Sequence, residues 1–189
     1  MTAPPPLTKL PGGRPAGDPD PAKTETITIG GRTFKAGHRT ARHLERTFKQ
    51  FDKQRPHATL SIRQPCYNVG VEESKGTHDG DGVIDFVVSG VEWRKAEKFL
   101  RKRGWAAWWR HTGEWEDESK WHLHAVSLGC PGPVGGFVPA QVDDYHNKAF
   151  GLKDQHGRGI DDTWHPDDIP ATVFDYPKFM AKQGVPEHA

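Results

Sequence analysis

The run Val83-Ile84-Asp85-Phe86-Val87-Val88 constrains the fold more than any other stretch of the chain. Apart from Asp85 it is wholly apolar, as expected of an interior strand covered on both faces. A carboxylate inside such a strand is costly unless it is ion-paired, hydrogen-bonded or bound to a metal. The chain must therefore supply a two-sided core and, on the Asp85 face, a set of polar partners.

The flanking sequence supplies both. Thr26-Ile27-Thr28-Ile29, Gly30-Gly31 and Arg32-Thr33-Phe34 read as a hairpin. From His38 to Phe51, Ala41, Leu44, Phe48 and Phe51 recur at helical spacing, and Pro56 ends the element. His57 to Ile62 is a short β-branched strand stopped by Pro65. A Gly- and Asp-rich loop from Gly70 to Gly82 then leads into the Val83 strand. Val91 to Arg103 is an amphipathic helix with Val91, Ala96, Phe99 and Leu100 inward and Gly104 as its stop. Trp105 to Trp109 and Trp121 to Leu128 are two further strands, and residues 140–152 one more helix. The expected fold class is α+β: a small antiparallel sheet flanked by helices in a single domain over residues 24–155. Residues 1–23, with seven prolines and three glycines, read as a disordered tail. Residues 156–189 carry Trp164, Phe174, Tyr176 and Phe179, which suits a strap packed on the domain.

Composition excludes several function classes. With 26 Lys+Arg against 25 Asp+Glu the net charge is +1, unlike the strongly basic balance of a dedicated nucleic-acid binder. No apolar run reaches the roughly 18 residues of a membrane helix. Met1 to Pro6 has no charged segment leading into an apolar one, so no secretory signal is expected. Cys66 and Cys130 are too few for a disulfide framework. They follow the Arg63 and His124 strands and can pair, although buried thiols suit a chain without a signal. The unusual enrichment is in side chains that bind metals and line grooves, 11 His and 7 Trp.

Three features meet the needs of a zinc hydrolase, which takes three ligands from His and carboxylate and leaves one position open. His78 and Asp85 bracket the turn Gly76-Thr77-His78-Asp79-Gly80-Asp81-Gly82-Val83-Ile84-Asp85. His122 and His124 form an HxH on a strand, so both imidazoles face the same way, about 7 Å apart at the backbone. Val83, Asp85 and Val87 likewise share a face. Plainer readings exist for each part. An HxH also occurs as a solvent-facing pair, and a loop alternating Asp79 and Asp81 with glycine also occurs as a plain turn or a weak calcium site. Co-occurrence of all three favours a metal centre.

His78 to Asp85, followed by Trp121-His122-Leu123-His124, resembles the LAS-type zinc peptidases. These share the D-Ala-D-Ala metallopeptidase and hedgehog-like fold and the pattern SxHxxGxxxD followed by HxH. The resemblance covers about residues 40–130. It implies zinc as cofactor with His78, Asp85 and His124 as ligands, and His122 as a transition-state stabiliser that does not bind metal. Glu118, six residues before the last ligand, stands at the general-base position of one branch, with Glu116 and Asp117 as alternatives. Arg63, fifteen residues before the first ligand, stands at a substrate-contact position. Gly76 replaces the family serine, and the glycine expected three residues after the first His is displaced to Gly82, leaving Asp81 in its place. The form here is similar to lysins and tail-associated peptidases of phages infecting high-GC Gram-positive bacteria.

The resemblance implies a zinc metallopeptidase acting on peptidoglycan stem or cross-bridge peptides, of the phage endolysin kind. It would be held in the host cytoplasm until release to the wall, or carried on the virion. Its partner is the peptide substrate, not nucleic acid or membrane, and a monomer is expected. The alternatives are a non-catalytic wall-binding or virion-structural module with a vestigial zinc site, and a housekeeping carboxypeptidase or dipeptidase. Trp105, Trp108, Trp109, Trp115 and Trp121 are expected in the core more than in a groove. His38, His43, His57, His111, His146, His156 and His165 are expected at the surface. Arg94-Lys95 to Arg101-Lys102-Arg103 is expected as a solvated helix face.

Overall fold

A computed structural model describes residues 23–71, 74, 76–110, 120–128 and 135–147. The expected tail, the segment around Glu118, Cys130 and the expected strap lie outside the described residues, apart from Lys23. The described elements run β1 (Thr24–Ile29), β2 (Arg32–Gly37), α1 (His38–Gln54), β3 (Thr59–Gln64), β4 (Val83–Ser89), α2 (Trp93–Arg101), β5 (Trp105–Arg110), β6 (His122–Ser127) and α3 (Val138–His146). The fold is α+β. β1 and β2 form an antiparallel hairpin, and the other four strands form an antiparallel sheet in the order β3-β4-β6-β5. β4 is thus an interior strand, as its apolar run requires.

Strand alternation divides the sheet into two faces. One face carries Leu60, Ile62, Ile84, Phe86, Val88, Trp105, Ala107, Leu123 and Ala125, packed with residues of α1 and α2 such as Leu44, Phe51, Phe99 and Leu100. The other carries Val83, Ala106, Trp108 and Val126, covered by Val138 and Tyr145 of α3. Trp105 and Trp108 are core residues on opposite faces. Trp109 is half-buried and stacks parallel to Trp93 with ring centroids 6.2 Å apart.

Two expectations are corrected on the α1/α2 side. His43 is fully buried, not superficial. It stacks on Trp105 at 4.1 Å, its Nε2–H donates to the Arg103 carbonyl at 2.6 Å, and its Nδ1 accepts from the Ser127 hydroxyl at 2.7 Å. Burial holds its pKa down at about 3, against the opposing pull of the Arg103 carbonyl, so the imidazole is neutral. Arg101 is also buried rather than solvated, paired with the buried Glu97 one helical turn earlier at 3.2 Å. The pair serves the outer strand β5: Arg101 Nε donates to the Ala107 carbonyl at 2.9 Å, and Glu97 accepts the Trp109 N–H at 2.9 Å. A helix thereby satisfies backbone groups that an edge strand would leave open.

Candidate metal centre

The second sheet face gathers the polar residues. Asp85 lies opposite His124 in the β4/β6 register, and Gln64 lies opposite Asp85 across β3/β4. On the other side of β6, Trp108 lies opposite His124 and Arg110 opposite His122. One row across the sheet therefore reads Gln64, Asp85, His124, Trp108. His78 reaches this row from the β3–β4 loop, where the Asn68 N–H donates to the His78 carbonyl at 2.9 Å and the Tyr67 N–H to the Gly80 carbonyl at 2.9 Å.

His78, Asp85 and His124 converge. His78 Nε2 lies 3.2 Å and His124 Nδ1 2.9 Å from Asp85 Oδ1. One potential ligand atom from each residue lies within 4.8 Å of the other two, and all three side chains are buried. Two imidazoles and a carboxylate at this spacing are the donor types that metal sites use, and no fourth His, Cys, Asp or Glu joins the group among the described residues. The group can hold a metal ion.

The electrostatics are those of a shared buried charge. Burial would raise the Asp85 carboxyl, but the neighbouring His78 and His122 imidazoles and hydrogen bonds from His124 and His78 hold it well below the usual carboxylate range. Burial would lower His78, but Asp85, 3.2 Å away, carries it above the ordinary imidazole value. His124 and His122 are both lowered, by burial first and by the Arg110 guanidinium in addition, with Asp85 opposing. Arg63 adds to the lowering of His122.

The cluster opens onto a cavity of about 240 Å³, also lined by Arg63, Gln64, Arg110, Lys120 and His122. His122 is brought beside the ligand set, with Nε2 3.8 Å from Asp85 Oδ2, while its Nδ1–H donates to the Lys120 carbonyl at 2.7 Å. Arg63 is the extra residue of a β-bulge between Ile62 and Gln64, which brings both Arg63 and Gln64 to the cavity wall. Glu118, Glu116 and Asp117 lie outside the described residues. His78, Asp85, His124, His122 and Arg63 are thus brought together around one cavity.

Gly76 and Asp81, where the resembling motif has serine and glycine, have local employments. Gly76 has φ +85°, a left-handed conformation suited to glycine, and a side chain there would run into the Phe137 ring. Asp81 is buried and accepts the Gly37 N–H at 2.9 Å at the start of α1, where a helix N-terminus favours a negative charge. Asp79 of the same loop is exposed.

Sequence reasoning missed Gln64, Arg110, Lys120 and Gln141. For Arg110 a signal existed, since it follows the Trp105 strand at the parity of Trp108. Gln141 is 5% exposed on α3, and its Oε1 lies 3.2 Å from His124 Nε2. Comparisons with family models, with curated proteins and with solved structures found no match.

Proposed function

We propose that this chain is a zinc-dependent peptidase that hydrolyses amide bonds in peptidoglycan stem or cross-bridge peptides, as a phage endolysin does. The observation that carries the reading is the buried His78–Asp85–His124 donor set opening onto a cavity beside His122 and Arg63. The choice of peptidoglycan rests on the resemblance of the two motifs.

His78, Asp85 and His124 would hold the ion. Zinc, when bound, supplies a Lewis acid that activates water and polarises a carbonyl. The remaining roles belong to the protein. Arg63 and Arg110 present cationic donors on the cavity wall, suited to a substrate oxygen that gains charge. His122, anchored through Nδ1–H, adds an imidazole beside the same space. Glu118 is assigned to take a proton at its carboxylate and return it to the departing amine.

The test is digestion of purified cell wall by the full chain, by chelator-treated protein and by the same protein with zinc restored. Zinc-dependent release of new amino groups, with peptides identified by mass spectrometry, is expected. Protein that holds zinc and binds wall but releases nothing would show a non-catalytic module. Iron as the resident metal would overturn the zinc assignment.

A further inference from the structure

The inference concerns α3, which lies beyond the stretch that carries the motif resemblance, and it rests on the metal-site reading above. The buried residues of α3 are Val138, Gln141 and Tyr145, a stripe at i, i+3 and i+7. Val138 and Tyr145 explain themselves: they close the apolar cluster, and Tyr145 meets Trp108 edge-on with centroids 5.6 Å apart. Gln141 is the polar member of that stripe. Burying its amide is unfavourable unless it has a partner. One partner is the far nitrogen of a candidate ligand: Gln141 Oε1 lies 3.2 Å from His124 Nε2.

The two imidazoles of the site face Asp85 through different atoms. His78 faces it through Nε2, and His124 through Nδ1. A ligating imidazole offers a lone pair, so its hydrogen must sit on the other nitrogen, which then needs an acceptor. For His78 that acceptor is the Pro65 carbonyl, 3.1 Å from Nδ1. For His124, 6% exposed, the acceptor at hand is Gln141 Oε1. α3 is itself fastened to the His78 loop, because the Phe137 N–H donates to the Gly76 carbonyl at 2.8 Å. Gly135 lies so close to the Gly76 and Thr77 carbonyls that a side chain there would collide with them.

We propose that Gln141 is a positioning residue: when a metal takes the place of the Asp85 hydrogen bond at His124 Nδ1, Gln141 Oε1 accepts the Nε2–H and holds the ring as the tautomer that presents Nδ1 to the metal. Gln141→Met keeps the length of the side chain and removes the strong acceptor. Gln141→Glu keeps the acceptor. The full-length proteins are compared for zinc affinity by competition with a chromogenic chelator, and for melting without metal.

Gln141→Met is expected to weaken zinc binding about 10- to 100-fold, with metal-free melting close to wild type. Gln141→Glu should retain wild-type affinity. Nitrogen-15 spectra of zinc-loaded wild type should show the His124 proton on Nε2, a readout that needs no variant to fold. Equal zinc affinity in Gln141→Met and wild type, equal weakening in Met and Glu variants, or a proton on Nδ1 would overturn the proposal. Wild type that binds no zinc would overturn the metal-site reading and this inference with it. Wild type that binds zinc while Gln141→Met binds it equally well would overturn this inference alone.

Discussion

His43 shows how much one buried side chain can commit a fold to a pH range. Its folded pKa is about 3, against an ordinary value of 6.5, because burial disfavours the cation. Between those values the unfolded chain binds a proton that the folded chain refuses, so this contribution to stability is full above pH 6.5. It is lost as pH falls toward 3, with a limiting slope of about 1.4 kcal/mol per pH unit. His43→Gln should be less stable at pH 7 but should show a flatter decline. Urea midpoints from pH 7 to pH 4 measure this, and parallel curves for the two proteins would refute it. In the proposed function, Glu118 is the residue-scale counterpart. Glu118→Gln should retain zinc while turnover of wall peptides falls by about two to four decades. Full turnover in that variant would pass the role to Glu116 or Asp117.

At the scale of elements, the α2–β5 clip makes a measurable claim. Glu97→Ala removes the carboxylate paired with the buried Arg101 guanidinium, which should cost about 3–5 kcal/mol. The double substitution Glu97→Leu with Arg101→Met should recover much of that loss in chemical denaturation. If the single substitution is nearly neutral, the pair does not hold the helix to the strand. This pair also shows where a helical pattern misleads. Arg101 lies in a run of cations that looks solvated, yet the Ala107 carbonyl of β5 and the buried Glu97 draw it inward. His43 escaped notice for the same reason, since its partner Ser127 is 84 residues away. By contrast, β4 and β6 were legible because strand alternation is local: it put Asp85 and His124 on fixed faces, and the register brought them together. The bulge at Arg63 and the reach of Gln141 from α3 are tertiary facts without a local pattern.

Across the whole molecule, the sheet separates its two tasks by face. The face toward α1 and α2 holds much of the apolar core, with His43 as a neutral polar inclusion. The opposite face carries a shorter apolar patch under α3 and, beside it, the row that places Asp85 next to His124. No helix among the described residues is long and apolar enough to cross a membrane. The loop bearing His78 and the N-terminal end of α3 are tied by backbone hydrogen bonding, so parts distant in sequence bear on one ligand set. The central claim is that His78, Asp85 and His124 form one metal site. Elemental analysis of the full chain after zinc loading and desalting tests it most directly. One zinc per chain is expected in wild type and none in His124→Ala; stoichiometric zinc retained by His124→Ala, or no zinc in folded wild type, would contradict the account.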